Sequence, residues 1–536
     1  MKKEEINNKV IDNSLEYLTT FEVPEEWKDL EYKDNQKLTF NESINLLKGD
    51  TLPVSSFIKN KEGIFEGTTT KEEKRNIAEE VPCWISENCI ECNQCAFSCP
   101  HGVIRPFLLD KKDSKVESIP SLLPKDNEFT IGINYEECTG CGVCTLACPG
   151  KLGKKALEMV PNKDKENNFE YLLKNNVNDK YQSNLLTVKN VSFKEPKFEY
   201  SGACAGCGET PYITNLTRVF NDNLMIANAT GCSSIYSGSV PSMPYSIPWA
   251  SSLFEDNTEY GYGILQGINI KRDKIKKYMK EYPRNKLFKK WIENMDNYDI
   301  CKEVKENIDY KKHPYLNDMK DYILPKQLWV LGGDGFAYDI GYGGLDHVLS
   351  KKDNINILVL DTEVYSNTGG QSSKSSNIGS VASFTSNGKD NYKKDLARIA
   401  MCYPHVYVAS VNIGYNKEQY LKAIKEASLH NGPSLIIAYS PCIEHGIKTG
   451  MQHSQSNGYL ATKCGYFLTF RYNPDTKKFS LDSKEPEFDK YEDYLMTENR
   501  FASLVRKDKE RARLLLEEQK QWAIDRYNYY KKISEE

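Results

Sequence analysis

Two copies of one cysteine pattern constrain this chain more than any other feature of its sequence. ENCIECNQCAFSCP is followed by EECTGCGVCTLACP, and each cysteine of the first copy recurs 49 residues later in the second. Both copies read C-x2-C-x2-C-x3-C-P, a run in which three thiolates hold one [4Fe–4S] cluster and the fourth reaches the neighbouring cluster. The repeat therefore predicts two similar halves that face each other within one small domain.

The crossover of the fourth cysteine assigns the eight thiols to two clusters. The predicted ligands are Cys89, Cys92, Cys95 and Cys148 for cluster 1, and Cys99, Cys138, Cys141 and Cys144 for cluster 2. Zinc also binds CxxC pairs, but it takes four ligands and does not account for two four-cysteine runs that each end in proline. We therefore expect a bacterial-type 2[4Fe–4S] ferredoxin-like α+β domain, over residues 81–160, that transfers electrons.

Length and charge limit the remaining possibilities. A chain of 536 residues is too long for one core, and its 71 Lys and Arg balance 75 Asp and Glu, so no basic field favours nucleic acid. No run approaches the roughly 20 apolar residues of a membrane span, and the opening MKKEEINNKVIDNSLEY lacks the apolar region of a signal peptide. We expect a cytoplasmic protein without membrane or nucleic-acid partners.

Composition divides the rest of the chain into three parts. Residues 1–80 are polar and are interpreted as a linker that wraps another domain, and residues 161–200 as a second, irregular linker. Over residues 201–536, apolar strands alternate with amphipathic stretches, which predicts an α/β domain with a parallel sheet. The predicted strands are Asn223–Ala229, Gln327–Leu331, Ile355–Asp361, Val406–Val411 and Ser434–Tyr439. The predicted helices are Ala337–Leu349, Lys417–His430 and a C-terminal helix over Arg500–Lys532.

A second cysteine set lies in the predicted α/β domain. In SGACAGCGETPY, Cys204 and Cys207 have the spacing of metal ligands. Zinc, a redox dithiol and a third cluster are each compatible with one CxxC pair, which still needs two more ligands. Cys232 and Cys442 each follow an apolar strand, where an α/β sheet builds its sites.

Two polar strand ends complete the motifs. VLGGDGFAY is a strand that runs into a glycine turn carrying Asp334, and LDTEVYSNTGGQ follows at the end of a later strand. Glycines let the backbone approach a phosphate, a helix N-terminus favours an anion, and an aspartate is a hard oxygen ligand. A lone GDG is a common turn, but the two motifs together favour a diphosphate bound through Mg²⁺.

These motifs, in this order, resemble those of pyruvate:ferredoxin (flavodoxin) oxidoreductase, in the part from its ferredoxin-like insertion to its C-terminus. The resemblance covers about residues 50–536 and is carried by SGACAGCGETPY, NATGCSSIY, GGDGFAYDIG and DTEVYSNTGGQ. It implies a third [4Fe–4S] cluster beside thiamine diphosphate, with ligands Cys204, Cys207, Cys232 and Cys442.

The resemblance also implies the residues of the thiamine diphosphate site. Implied contacts are Glu209, Cys232, Gly333, Asp334, Gly335, Phe336, Thr362, Glu363, Val364, Tyr365, Ser366 and Asn367. The side chains of Asp334 and Thr362 and the carbonyl of Val364 would hold Mg²⁺. Asn367 would lie close to the reacting carbon, as the catalytic asparagine of the family does.

The implied reaction converts pyruvate and CoA to acetyl-CoA and CO₂ and passes single electrons through three clusters to ferredoxin or flavodoxin. The family's usual polypeptide is about twice as long, and its other half carries much of the substrate site. We therefore expect a separate chain with the missing domains, in an oligomer, and an inactive enzyme without it. The alternatives are an electron-transfer module, an inactive truncated paralogue, and the same enzyme class acting on another 2-oxoacid.

Four cysteines and one histidine remain. Cys83, Cys301, Cys402 and Cys464 have no partner at ligand spacing and are interpreted as structural. His445 follows Cys442 closely, and it either tunes the third cluster by hydrogen bonding or packs in the core.

Overall fold

The structure is a computed structural model that describes residues 3–17, 20, 22–25, 38–60, 65–162, 167–181, 185–238 and 242–536. The chain forms two compact units, Met1–Ile64 and Phe65–Glu536. The first unit contains the helices Lys3–Asp12 and Phe40–Asn45, and much of its predicted wrapping segment, including residues 26–37, lies outside the described residues. The second unit begins before residue 80 because Thr70 and Ala78 are buried in it.

The cysteine repeat folds into a small α+β domain. Its strands are β1 Glu80–Trp84, β2 Ile104–Leu109, β3 Ile119–Pro120, β4 Glu128–Ile133 and β5 Leu157–Pro161. β1 pairs antiparallel with β5, and β2, β4 and β3 form an antiparallel sheet in that order. Each cysteine run contains a short helix, Gln94–Ser98 or Val143–Ala147, that starts after a residue with positive φ, and the two helices pack together. The expected pair of similar halves is thus present.

An eight-stranded mixed sheet forms the centre of the large domain. Its strands are β6 Leu224–Ala229, β7 Trp249–Ser252, β8 Gln327–Gly332, β9 Asn356–Asp361, β10 Tyr407–Val411, β11 Ser434–Tyr439, β12 Phe470–Asn473 and β13 Lys478–Leu481. They lie in the order β13-β12-β10-β11-β9-β8-β6-β7, and β6 to β11 are parallel. All five predicted strands are confirmed. The antiparallel hairpin of β12 and β13 and the polar edge strand β7 were not predicted.

The sheet is covered by apolar layers on both faces. Alternate residues of the central strands, such as Val330 and Trp329, enter different hydrophobic clusters. The helices Tyr342–Leu349 and Lys509–Glu535 pack on one face, and Thr210–Phe220 and Lys417–Leu429 pack on the other. Because both faces are covered, the central strands are continuous apolar runs.

Helices make up most of the remaining large domain. Those not yet named are Cys232–Ile235, Asn257–Lys280, Lys286–Glu293, Tyr298–Asn307, Pro314–Asp318, Asp334–Ala337, Leu396–Ala400, Ser454–Lys463, Tyr491–Leu495 and Asn499–Lys507. None of the helices in the described ranges has the length and apolar character needed to cross a membrane.

Two predicted helices are interrupted. The predicted helix Ala337–Leu349 is broken between Ala337 and Tyr342, where Gly341 packs so closely on the carbonyl of Phe254 that a Cβ would lie 2.2 Å from its oxygen. The predicted C-terminal helix is divided at Asp508, whose side chain accepts a hydrogen bond from the Arg511 amide at 3.0 Å. An aspartate in this position caps a new helix rather than continuing the previous one.

The segment between the two domains, predicted to be an irregular linker, contains the short helices Phe169–Asn175 and Val188–Ser192. Val188 and Val191 are buried against the helix Thr210–Phe220, in the same cluster as Phe97 of the first cysteine run. Asn215 and Arg218 of that helix donate to the carbonyls of Phe97 and Ala96 at 2.9 and 3.0 Å. The small domain is therefore bound tightly to the sheet that carries the second cysteine set.

Candidate functional site

The four cysteines predicted for cluster 1 line one cavity. Cys89, Cys92, Cys95 and Cys148 line a small cavity whose apolar wall includes Trp84. Burial, with the neighbouring thiols, raises the pKa of Cys95 well above its usual value. The amide of Ala156 donates to Cys148 Sγ at 3.4 Å. A buried space ringed by four thiols, with an amide directed at sulfur, fits a [4Fe–4S] cluster.

The four cysteines predicted for cluster 2 also lie together. Burial and the nearby Cys99 and Cys141 thiols raise the pKa of Cys138 to about 12. Burial and the same group of thiols also raise the pKa of Cys144 well above its usual value. The amide of Gly140, which has a positive φ, donates to Cys138 Sγ at 3.4 Å. This set has the same chemical character as the first.

The second cysteine set converges at the carboxyl end of the parallel sheet. Cys232 follows β6 and Cys442 follows β11, and the amide of Gly208, next to Cys207, donates to the carbonyl of Pro441 at 3.1 Å. Burial, the Glu209 carboxylate and the Cys204 thiol raise the pKa of Cys232 to about 12. Burial, together with Glu209, Cys207 and Cys232 nearby, raises the pKa of Cys442 well above its usual value. The structure thus brings these four thiols together, as the family resemblance implies.

The three thiol groups form a series. Cys95 of the first group is close enough to Cys144 of the second group to raise the pKa of the Cys144 thiol. Gly206, which lies between Cys204 and Cys207, is close enough to Cys141 of the second group for its amide to lower the pKa of that thiol, against the larger effect of burial. The second group therefore lies between the other two. Within the described ranges, no three His, Cys, Asp or Glu side chains are arranged to hold a single metal ion.

The two polar strand ends meet because β8 and β9 are parallel neighbours. Asp334 is buried, and its Oδ2 accepts a hydrogen bond from Ser373 at 2.6 Å, while its Oδ1 has no hydrogen-bond partner among the described residues. Burial and the charge of Asp361 raise the pKa of Asp334 well above its usual value. Thr362 Oγ1 lies 3.0 Å from the carbonyl of Val364. A buried, unpaired carboxylate oxygen beside a hydroxyl and a carbonyl fits Mg²⁺.

The loop of residues 362–367, which the family resemblance assigns to thiamine diphosphate, contacts the third thiol group. Cys232 Sγ lies 3.1 Å from Ser366 Oγ and 4.0 Å from Asn367 Oδ1. Glu209 is buried beside the same thiols, where Tyr236 donates to its Oε2 at 2.9 Å and burial raises its pKa to about 7. The predicted catalytic Asn367 is exposed next to this group. A cofactor on this loop would therefore lie against the third thiol group.

The side chains of two residues of the predicted site have partners within the protein. The ring of Phe336 is buried in the core, directly over Gly332. Glu363 has a positive φ of 58°, and its carboxylate faces Lys393 at 2.7 Å and Arg500 at 2.9 Å. Although burial opposes it, these two cations lower the pKa of Glu363 to about 2. Only the backbone of Glu363 is left for the predicted cofactor contact.

Comparison with known proteins adds three family matches. Residues 88–152 match the 4Fe-4S dicluster domain, residues 321–438 match the C-terminal TPP binding domain of thiamine pyrophosphate enzymes, and residues 40–78 match a domain of unknown function named EKR. The chain is 42% identical to the pyruvate:ferredoxin oxidoreductase of Moorella thermoacetica and 40% identical to the pyruvate-flavodoxin oxidoreductase of Enterobacter agglomerans. Each alignment covers 99% of this chain and 49% of the relative.

The chain is a homologue of the pyruvate:ferredoxin (flavodoxin) oxidoreductases. It spans about half the length of these relatives, in agreement with the expected C-terminal half. The α/β thiamine-binding domain and the ferredoxin-like domain are confirmed by the same matches. A solved chain of 2-oxoglutarate:ferredoxin oxidoreductase from Magnetococcus marinus is 18% identical, covers 50% of this chain and 68% of its own, and has a TM-score of 0.31.

The EKR match draws attention to residues that the sequence reasoning did not single out. Arg75 donates to the carbonyls of Ser201 and Tyr200 at 2.8 and 2.5 Å and pairs with Glu73 at 3.1 Å. This arginine thus holds the segment that leads into Cys204. No spacing rule could have found this role, because the two carbonyls that it holds lie more than a hundred residues away in sequence.

His445 connects the two parts of the site. It is fully buried, its Nε2 lies 2.6 Å from the carbonyl of Thr362, and the amide of Cys442 lies 3.5 Å from its Nδ1. His445 therefore both packs in the core and contacts the segment that carries a thiol of the third group.

Of the four cysteines outside the three thiol groups, Cys301 and Cys464 are buried, Cys402 is exposed and Cys83 is half-buried.

Proposed function

We propose that this chain is the thiamine-diphosphate-binding and electron-conducting half of a pyruvate:ferredoxin oxidoreductase. It would bind three [4Fe–4S] clusters on the three thiol groups, and thiamine diphosphate with Mg²⁺ at Asp334, Thr362 and the carbonyl of Val364. The reaction takes pyruvate, CoA and two oxidised one-electron carriers to acetyl-CoA, CO₂, two reduced carriers and one proton. A second chain would supply the part of the active site that this chain does not contain.

The distance of 3.1 Å between Cys232 Sγ and Ser366 Oγ carries this proposal. Ser366 belongs to the loop that would hold thiamine diphosphate, and Cys232 belongs to the third thiol group, at one end of the series. An electron released at the loop would therefore pass directly to a cluster on the third thiol group, and from there to clusters on the second and first groups. A simple electron-transfer module has no need of this contact or of the unpaired Asp334 Oδ1.

Thiamine diphosphate, when bound, supplies an electron sink for decarboxylation of a 2-oxoacid. The protein's part is to position and to conduct. Asp334 and Thr362 would hold the metal and the diphosphate, and Asn367 presents an exposed amide beside Cys232. Buried Glu209 accepts a hydrogen bond from Tyr236 at 2.9 Å and presents a polar group beside the third thiol group.

Reduction of a viologen dye by pyruvate tests the proposal. The tagged chain is purified from its native host without oxygen, with any chain that accompanies it, and assayed with and without CoA. We expect CoA-dependent dye reduction and bound thiamine diphosphate. Asp334→Asn should abolish both, whereas the matched change Asp353→Asn, before the amino end of β9, should leave both unchanged.

Two outcomes would redirect the proposal. Brown protein without thiamine diphosphate, pyruvate-dependent reduction or a companion chain would leave an electron-transfer module or an inactive paralogue. Bound thiamine diphosphate with reduction by a different 2-oxoacid, and none by pyruvate, would keep the enzyme class and replace the substrate.

A further inference from the structure

A fully buried arginine lies where the large domain meets the small one. Arg218, on the helix Thr210–Phe220, is 0% exposed. Its Nη1 donates to the carbonyl of Ala96 and to Asn215 Oδ1, both at 3.0 Å. Its Nε and Nη2 are also buried, and they have no hydrogen-bond partner among the described residues. A buried cation with two unused N–H donors is costly, so this arrangement requires a physical reason.

No carboxylate neutralises Arg218 within the part of the chain that the structure describes. The neighbouring cation is Arg105, which contacts Glu199, and Glu199 also pairs with Lys71 at 2.9 Å. Burial and Arg105 lower the pKa of Arg218 to about 9, although the thiols of Cys99 and Cys95 oppose this shift. Because a buried charge is retained only when it is paired, the counter-ion of Arg218 has to lie on the side of the cysteines.

The two cysteines that act on Arg218 belong to different thiol groups. Cys95 lies in the short helix Gln94–Ser98 and belongs to the first group, whereas Cys99 follows this helix and belongs to the second. Ala96, whose carbonyl accepts from Arg218, lies between them in sequence. The guanidinium is therefore held close to one thiol of each group, with two N–H donors unused.

The third thiol group lies at the opposite end of the same helix. Cys204 and Cys207 come just before Thr210–Phe220, whereas Arg218 is in the last turn of this helix. A helix of 11 residues is about 16 Å long at a rise of 1.5 Å per residue. Since the energy between two charges falls with distance, Arg218 acts more strongly on the first two groups than on the third.

We propose that the clusters on the first and second thiol groups are the counter-ions of Arg218, and that Arg218 raises their reduction potentials relative to that of the third cluster. This rests on the proposed function, because it requires [4Fe–4S] clusters on Cys95 and Cys99. A cluster held by four thiolates is negatively charged, and it gains one more negative charge when it accepts an electron without a proton. A fixed cation stabilises this reduced form, so electrons are drawn from the third group towards the second and first.

A redox titration of the clusters tests this proposal. The full chain is reconstituted with iron and sulfide without oxygen, and reduction is followed by electron paramagnetic resonance at controlled potentials. For Arg218→Gln, we expect the ratio of reduced to oxidised cluster in the first two groups to fall about tenfold at a given potential, or about 59 mV for one electron. The third cluster, identified by its loss in Cys204→Ala, should change less than about twofold. The effect should persist at high salt, because buried charges are screened little.

A second buried arginine provides a matched control. Arg272, on the helix Asn257–Lys280, donates to the carbonyls of Leu324 and Tyr322 at 2.7 and 2.9 Å and packs on the ring of Trp291. Arg272→Gln removes the same charge from a buried site outside the three thiol groups. It should lower the unfolding temperature and leave the reduction of all three clusters unchanged.

Arg218→Lys separates the charge from the shape of the side chain. Lysine keeps the positive charge but loses the planar guanidinium. We expect the reduced-to-oxidised ratio of the first two clusters to stay within about threefold of the unchanged protein. A purely structural role for Arg218, through the carbonyl of Ala96, would instead give the pattern of Arg272→Gln.

Unchanged ratios in Arg218→Gln, or an equal decrease in Arg218→Gln and Arg218→Lys, would overturn the proposal. Iron content covers the case in which a variant does not hold its clusters. Loss of the first two clusters from the glutamine variant alone would support the proposal, because charge then decides whether they are held, and loss from both variants would overturn it. The titration needs neither pyruvate nor a second chain. Failure to oxidise pyruvate would therefore overturn the proposed function and leave the role of Arg218 standing.

Discussion

At the scale of single residues, the sequence indicates which cysteines lie together, but it does not indicate which charged residues hold the neighbouring loops in place. The spacing of the two runs assigns eight thiols, and the structure brings them together as predicted. Glu363 shows the limit, because its partners Lys393 and Arg500 come from segments that no spacing rule relates to it. The family resemblance implies that Glu363 contacts the cofactor as part of the run Thr362 to Asn367, and the fold adds that its carboxylate is buried between these two cations.

We predict that Glu363→Gln destabilises the chain by about 3 kcal/mol, because it leaves the buried Lys393 and Arg500 without a shared anion. Since Glu363 lies between Thr362 and Val364, we also expect weaker retention of Mg²⁺ and thiamine diphosphate. Chemical denaturation and cofactor content measure the two effects. Glu517→Gln, at an exposed pair with Arg513, should change neither. Equal stability of the two variants would show that the buried pairs do not hold the loop.

At the scale of elements, buried strands were predicted well and edges poorly. The strands β8, β9, β10 and β11 are buried over almost their whole length because both faces are covered, and their largely apolar sequences give a strong signal. The edge strand β7 reads WASS and carries no such signal. The predicted C-terminal helix failed at Asp508, where a capping side chain competes with helix continuation.

We expect Asp508→Ala to destabilise the start of the helix Lys509–Glu535 by about 1 kcal/mol, because the Arg511 amide loses its acceptor. Asp508→Asn keeps an acceptor oxygen and should retain most of the stability. Thermal unfolding of the three proteins at one pH gives the comparison. If alanine and asparagine are equivalent, the side chain does not act as a cap.

At the scale of the whole molecule, the packing of the segments outside the two domains was not visible in the sequence. Polar composition suggested linkers up to residue 80 and over 161–200, yet short helices in the second segment bury apolar residues between the two domains. Sparse apolar residues can join an existing core without the periodicity that would reveal them. The association of the small domain with the large domain depends on contacts such as those of Asn215 and Arg218 with the first cysteine run. These contacts join residues that are distant in sequence, so only the fold reveals them.

The account predicts about twelve iron atoms per chain, four for each thiol group. Cys204→Ala should reduce this to about eight, because the third group loses a ligand. Cys402→Ala is the matched control, since both cysteines are exposed and only Cys204 belongs to a thiol group. Iron and acid-labile sulfide determinations on anaerobically reconstituted protein give the count. Equal iron content in the two variants would remove the third cluster from the account.

The most direct test of the central claim is whether pyruvate itself reduces the clusters on this chain. The complex purified from the native host without oxygen is frozen after addition of pyruvate and CoA, with no dye or carrier, and examined by electron paramagnetic resonance. The account predicts signals of reduced [4Fe–4S] clusters that require both substrates and are lost in Asp334→Asn. Clusters that dithionite reduces but pyruvate does not, in a complex with all its chains and thiamine diphosphate present, would contradict it.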